Sequence, residues 1–513
     1  MRPDPLPATF PAQPTPAPAA AAAVGRLPTF HIVGFSGHRR LTDAAGAGVA
    51  IRGALEALQR QIPGEWIALS SIATGGDRVF VQQARAMGLS WHAILPLPRA
   101  EFEKDFTPTE WREVEATLEQ ADHLRIIGES GDREEAYLDC GIETVNEADI
   151  LLAVWDGDPA RGKGGTADIV QYARSIHRPL VIVDAQTHEV RRENWERLDP
   201  RDPVLEELNR LPDAHSAGAE NPFKAPDAVY AFQQKCDHYA SRSAPQYQRL
   251  LVSMVGLHLV AAMIGAAVVG FDLHLVALPW MELACVSFAL AAALVLRHHL
   301  HSHHSWVQCR LAAEFCRSAL ATWGLPRAAP LLGDLELAGT RGLARALQVL
   351  HTRSSAKRPV PIEDFKRIYL EKRIEDQIAY YGRQVDRALP LFRRLTTGFW
   401  IATLLAIASG AFYAVTRTLH SDLPAWLQGL TYVFLPIALP ALAAACISVI
   451  SINDLQRRVA RYREMRNLLE TSRAQVASCR TWTSLEHVVL RTERGLLREV
   501  IEWHSTRSFG QSH

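Results

Sequence analysis

The chain has 513 residues, enough for about three domain-sized units. Its 55 Lys and Arg balance its 55 Asp and Glu, which argues against a bulk nucleic-acid binder, since such proteins carry a basic excess. Seven scattered cysteines, odd in number and without a CxxC pair, argue against a disulfide framework or a zinc site.

Residues 1–28 are rich in Pro and Ala and have no periodicity, so they are expected to form a disordered tail. A single early Arg and prolines ahead of Ala19 argue against a signal peptide. From 29 to 187, short apolar runs alternate with amphipathic stretches. Strands are predicted at 30–35, 66–71, 91–95, 123–127, 150–155 and 180–183, with helices at 43–61, 76–87, 134–147 and 166–175. This alternation predicts an α/β doubly wound parallel sheet of Rossmann-like type, whose ligands bind where strand carboxyl ends meet helix N-termini.

Three loops at such positions are rich in Gly and small polar residues. The first carries Gly34, Ser36, Gly37, His38 and Arg39. The second carries Ser71, Thr74, Gly75, Gly76, Asp77 and Arg78. The third carries Asp156 and Gly157, then Gly162, Lys163, Gly164, Gly165, Thr166 and Asp168. Gly lets a backbone approach a phosphate, and a helix start offers N–H groups to an anion. The candidate ligand-binding set is therefore Gly34, Ser36, Gly37, His38, Arg39, Thr74, Gly75, Gly76, Asp77, Arg78, Asp156, Gly157, Gly164, Gly165 and Thr166. There is no GxGxxG and no Walker GxxxxGK[ST], so ordinary dinucleotide and ATPase folds are not indicated.

These three loops resemble those of the SLOG superfamily, the Rossmann-like group that includes LOG phosphoribohydrolases and nucleotide-sensing domains. Leu95-Pro96-Leu97-Pro98-Arg99 with Glu101 to Phe106, and Asn146-Glu147-Ala148-Asp149, are also similar to that family. The resemblance implies a nucleotide or ADP-ribose-like ligand, with no other cofactor. LOG enzymes carry PGGxGTxxE, whose Glu acts in glycosidic cleavage. This chain has Gly164-Gly165-Thr166-Ala167-Asp168 without the leading Pro and the Glu, so it is expected to bind rather than to catalyse. The alternative is a nucleotide-processing hydrolase with Asp77 or Asp168 as acid/base group.

Four later runs, 250–270, 275–296, 398–415 with its flanks and 427–450, are each long enough to span about 30 Å of hydrocarbon. They predict a helical membrane domain of two hairpins. Arg242, Arg249, Arg297, Arg393, Arg394, Arg457, Arg458, Arg461 and Arg463 flank the outer ends of the hairpins. The positive-inside rule then places both termini in the cytosol and the protein in the inner (cell) membrane. Glu282 lies within a span and is expected to face a pore or a partner, or else to lie near the outer interface beside Trp280. Pro436 and Pro440 are expected to break the last helix. His298, His299, His301, His303 and His304 form a dense run that fits an interfacial or pH-sensitive cluster better than a metal site, so no metal is expected.

An internal repeat links the hairpins. A polar helix with aromatic residues precedes each one, around Tyr239 and around Tyr380-Tyr381, and a basic amphipathic helix follows each, at 306–323 and 455–477. A last amphipathic helix is predicted at 484–503, with Leu485, Val489, Leu496 and Val500 on one face. Residues 361–513 resemble the SLATT domain, a family of two-helix membrane effectors, through Tyr369 to Gln377, Tyr380-Tyr381, Thr492-Glu493-Arg494 and Glu502-Trp503. Residues 188–330 hold a linker and a diverged first copy, and 331–360 a connector. The two resemblances together imply a membrane effector of bacterial defence or stress-induced cell death. A nucleotide-like small molecule would trigger it, and it would act as a pore-forming homo-oligomer without nucleic acid. The alternative is a membrane-anchored nucleotide N-glycosidase.

Overall fold

The computed structural model describes residues 25–128, 132–159, 164–199, 201–213, 221–298, 300–325, 340–355, 361–420 and 423–508, with the backbone alone at 242–247, 298, 300–305, 355, 503 and 505–508. Most of the expected tail, Gly162 and Lys163, the His298–His304 side chains and residues 331–339 and 356–360 of the expected connector lie outside the described residues. The chain divides into two compact units. One comprises residues 1–213, 226–232 and 332–358, and the other comprises 214–225, 233–331 and 359–513.

The first unit is built in the order β1 (Phe30–Gly37), α1 (Ala44–Gln61), β2 (Glu65–Ser70), α2 (Gly76–Ala86), β3 (Ser90–Leu95), α3 (Arg99–Phe102), α4 (Pro108–Leu118), β4 (His123–Ile126), α5 (Arg133–Glu147), β5 (Ile150–Trp155), α6 (Thr166–Ser175), β6 (Leu180–Asp184), β7 (Val190–Glu193) and α7 (Pro203–Arg210). The sheet order is β4-β3-β2-β1-β5-β6-β7. All pairs are parallel except β6 with β7. β5 is apolar throughout (Ile-Leu-Leu-Ala-Val-Trp) and buried along its length, as a central strand covered on both faces requires. On one face Ile51, Leu55, Leu58, Phe80 and Trp111 meet Val33, Phe35, Ala68 and Trp91. On the other, Cys140, Val145 and Ile169 meet Leu69, Ile94, Leu151 and Ala153.

Capping chemistry sets the helix starts. Asp43 accepts from Gly46 N–H at 2.9 Å, Asp132 from Glu134 N–H at 2.9 Å, and Thr107 with Glu110 closes a capping box. All six predicted strands are present. β7 and α4 were not anticipated. β7 reads Val-Arg-Arg-Glu and lies exposed at the sheet edge, so it carries no alternation to betray it.

The unit also reaches past the expected boundary at 187. It takes in β7 and α7, and it recruits α11 (Arg341–Ser355) from the stretch expected to be a mere connector. Leu343, Ala346 and Leu347 of that helix are buried, and Arg353 lies with its guanidinium 4.9 Å from the Phe30 ring of β1.

The second unit is helical: α8 (Asp227–Phe271, begun in the first unit), α9 (Ala277–His298), α10 (Leu300–Thr322), α12 (Ile362–Tyr369), α13 (Asp376–Thr418), α14 (Ala425–Gln428), α15 (Leu435–Ile452), α16 (Leu455–Ser478) and α17 (Trp482–Ser508). Four helices are long and apolar enough to cross a membrane: Gln248–Phe271, Ala277–Arg297, Ile362–Thr418 and Ala425–Ser478. Their most apolar windows have mean hydropathy 2.2, 1.8, 1.7 and 2.4, yet little of each is buried inside the protein. Trp280, Phe288, Leu290 and Leu404 are exposed, as side chains facing lipid would be.

The predicted repeat is visible. Trp306 Nε1 donates to Ala240 O at 2.7 Å, joining α10 to the start of α8. The Tyr381 and Tyr462 rings, 5.5 Å apart, join α13 to α16. In each half, the helix leaving the hairpin packs back on the one that enters it.

Pro436 and Pro440 do not break the last span. A π-helical turn, Gly429–Phe434, leads directly into α15, and Pro436 falls in that helix's first turn, where a missing N–H costs least. Glu282 sits six positions into α9, and a Cβ at Gly265 of α8 would lie 3.3 Å from its Oε1. The small residue leaves the carboxylate room within the hairpin.

Candidate ligand-binding site

β2, β3 and β4 lie to one side of β1, and β5, β6 and β7 to the other. Crossover connections therefore leave β1 and β5 in opposite directions, and the loops after them diverge to open a crevice at the strand carboxyl ends. A cleft of about 890 Å³ occupies that place. Its walls come from the loop after β1, the start of the β2–α2 loop, the loop after β5, the start of α6 and α5 from Arg133 to Thr144.

Nine of the fifteen predicted ligand-binding residues line this cleft: Ser36, Gly37, His38, Arg39, Asp77, Asp156, Gly164, Gly165 and Thr166. The other six do not. Gly34 is a packing position, where a Cβ would come within 2.8 Å of Ala148 Cβ. Gly75 has φ +85°, and a Cβ there would run into the carbonyls of His38 and Arg39. Gly76 donates its N–H to His38 O at 2.9 Å. These glycines press the start of α2 against the β1 loop and so shape the cleft from behind, with Thr74 in the same loop. Gly157, at φ +87°, turns the chain after β5 into open space. Arg78 is engaged by Glu113, with Nη2 2.6 Å from Oε2.

Asp77 is 7% exposed and lies in the first turn of α2. Burial pushes its carboxyl up to about 7, against the opposing pull of the Ala73 N–H at 3.0 Å and the Arg39 charge. A carboxyl poised near neutrality, lining a cleft, is a group able to hold or release a proton there. Asp156 differs. Burial alone would raise it, but the Asp158 N–H at 3.0 Å and the His38 ring hold it below the ordinary range. His38 Nε2 lies 3.0 Å from Asp156 Oδ1 and 3.2 Å from the Asp156 backbone nitrogen. One ring nitrogen cannot donate to the first and accept from the second at once. The shorter contact fits a proton on Nε2.

Asp168, the other candidate acid/base, does not line the cleft. Its Oδ2 accepts the Gly164 N–H at 3.0 Å and closes the loop ahead of α6. Among the described residues, no side-chain cap hydrogen bond is made at Gly165, the N-cap of α6.

Several lining residues carried no sequence signal. Arg133 Nε donates to Asp105 Oδ1 at 2.9 Å, the Tyr137 hydroxyl donates to Asp105 Oδ2, and the Arg39 guanidinium lies 4.9 Å from the Tyr137 ring centre. Arg40, Glu134 and Asp158 also face the space. The Ser71 hydroxyl, on its floor, is buried with no hydrogen-bond partner among the described residues. Neither Arg39 nor Arg40 forms a salt bridge among the described residues, which leaves two guanidiniums at the cleft mouth for an anion.

The helical unit has a polar centre of its own. Arg373 sits in a π-helical turn, Leu370–Glu375, between α12 and α13. It is 2% exposed and meets Glu493 of α17, which is fully buried, through Nη2 to Oε2 at 2.6 Å and Nε to Oε1 at 3.0 Å. Tyr369 donates to the same carboxylate at 2.9 Å, and Arg373 Nη2 reaches Ser318 of α10 at 3.2 Å. α10 is further tied to α8 by Arg317 Nη2 to Asp237 Oδ1 at 2.8 Å. One buried ion pair thus joins the exit helix of the first hairpin, the entry helix of the second and the C-terminal helix.

No curated protein matches the chain. Residues 369–503, roughly a quarter of it, match the family model of the SMODS and SLOG-associating 2TM effector domain 1. With the paired spans in the same segment, this supports a SLATT-type two-transmembrane effector part at the C-terminal end of a membrane protein whose N-terminal unit is Rossmann-like.

Proposed function

We propose that the chain is a membrane effector whose sheet unit is a SLOG-like sensor of a nucleotide-derived ligand, and that ligand binding gates a pore built from the hairpins of several copies. Bacterial defence or stress-induced cell death is the setting that an effector of this type suits. The observation that carries the reading is the cleft at the strand-order reversal. It holds Arg39 and Arg40, which form no salt bridge among the described residues, beside the start of α6, on the same chain as a two-transmembrane effector match. Arginines at the cytoplasmic ends of the spans would place both termini in the cytosol, where nucleotides are available. A ligand can open such a pore only by binding the open arrangement better than the closed one.

The test uses the full chain, because the sheet unit includes α11 from beyond the first hairpin. Protein reconstituted in dye-loaded liposomes would be exposed to nucleotides, cyclic oligonucleotides and ADP-ribose, with bound ligand identified by mass spectrometry. Dye release that requires the bound ligand supports gating. Binding without release above that of empty liposomes would sink it.

Asp77 favours one second reading, a membrane-anchored nucleotide N-glycosidase, because a carboxyl near pH 7 can protonate a leaving base. Recovery of the ligand as ribose phosphate and free base would establish that reading in place of sensing.

A further inference from the structure

α5 lines the cleft along most of its length and meets α11 at its C-terminal end. Arg133, Tyr137, Gly141 and Thr144 line the cleft. Arg133 and Tyr137 are held there by Asp105. About 22 Å from Arg133, for a helix of 15 residues, and one turn beyond Thr144 lie Glu147 and Asp149. Arg345 of α11 binds that end. It pairs with Asp149 and donates to the carbonyls of Glu147 and Phe30, both at 3.3 Å. Asp149 also accepts the Ile32 N–H at 2.9 Å, so the joint reaches the start of β1.

Two features make α5 a rigid lever. A Cβ at Gly34 would come 3.0 Å from Thr144 O, and one at Gly141 would collide with Ile169 of α6. The helix is thus packed closely against β1 and against α6. α11 is itself fixed at both ends, by Gly342 N–H to Asp202 at 2.9 Å and by Arg353 to Glu65 at 2.7 Å. The next helix among the described residues is α12, which begins at Ile362 and leads through the Arg373 turn into the second hairpin.

We propose that α5 and α11 form the output linkage of the cleft: occupancy against Arg133 and Tyr137 shifts α5, α5 shifts α11 through Arg345, and α11 passes the displacement along the chain to the second hairpin. The linkage rests on the reading of the cleft as a ligand site. It explains why a helix from between the hairpins belongs to the sheet unit.

The experiment reads amide hydrogen exchange of the full chain in lipid nanodiscs, in peptides covering 133–147 and 341–355. The first arm needs no ligand. Arg133→Gln with Tyr137→Phe releases α5 from Asp105. Exchange in 341–355 is expected to rise at least threefold together with 133–147. In an Arg345→Gln background, 341–355 should become insensitive to the same two substitutions. Faster exchange in 133–147 with none in 341–355 overturns the linkage. No change in either also overturns it, since α5 would then not be held by the cleft. The second arm adds 5 mM ADP-ribose to wild-type protein. A change in 341–355 that Arg345→Gln abolishes, while ADP-ribose still binds, supports the linkage, and binding without that change overturns it. Failure of ADP-ribose to bind counts against the ligand reading alone, and the first arm then decides. A peptide over 150–155 exchanging as in wild type shows that the substituted sheet is folded.

Discussion

Replacing Asp77 by Asn removes a proton-binding group from a buried position without changing its shape, and the structure sets the size of the effect. The carboxyl moves from 3.8 to about 7 on folding, mainly through burial. Its folded pKa lies above the unfolded one. Between pH 4 and 7 the unfolded chain has therefore lost a proton that the folded chain keeps, and stability falls as pH rises. The slope is about 1.4 kcal/mol per pH unit, and the loss levels off above pH 7 at about 4 kcal/mol. The D77N protein lacks this slope. From pH 5 to pH 8 its advantage over wild type should grow by roughly 3 kcal/mol, on the order of a hundredfold in amide protection of α2. Comparison of both proteins at each pH cancels the intrinsic pH dependence of exchange. A protection ratio that stays constant from pH 5 to 8 would refute the assignment of a neutral, buried carboxyl.

Other expectations follow from named contacts. Glu493→Gln or Arg373→Met leaves half of a buried ion pair and should lower stability by about 3–5 kcal/mol, while changing both to apolar residues should cost less than either alone. Thermal unfolding in detergent reads this, and a double variant as unstable as the sum of the singles would contradict it. Gly75→Ala meets both a left-handed φ and two carbonyls, so it should lower the unfolding midpoint further than Gly157→Ala, which meets the φ alone. Equal effects would mean that the close approach to the β1 loop does not matter. Arg39→Gln and Arg40→Gln should each weaken ADP-ribose binding at least tenfold by calorimetry, whereas Arg78→Gln, whose partner is Glu113, should change it less than twofold. A large effect at Arg78 would place the ligand elsewhere.

The elements that the sequence reveals share one property: their neighbours along the chain are enough to specify them. Six strands were legible because a central parallel strand such as 150–155 must be apolar on both faces. The spans were legible because about 20 consecutive apolar residues have few other uses. The glycine loops were legible as loops, but their division of labour was not. Gly34, Gly75 and Gly76 read like Gly37 and Gly165, and only the folded chain separates the glycines that pack behind the cleft from those that line it.

Residues of α5 and α11 show the complementary limit. Arg133 and Tyr137 look like any residues in the first two turns of an amphipathic helix until Asp105, 28 and 32 positions earlier, comes beside them. Arg345 finds Asp149 across 196 positions, and Arg373 finds Glu493 across 120. A charge bears no mark of its eventual partner, and a polar strand such as β7 bears none of its edge position. The sequence by itself determined the kind of protein, an α/β unit joined to paired membrane helices, because periodicity and apolar length are local properties of a chain. The tertiary structure decided which residues face the cleft, which carboxyl keeps its proton, and that a helix lying between the hairpins completes the sheet unit, because burial and pairing are set by distances that only the folded chain brings into being.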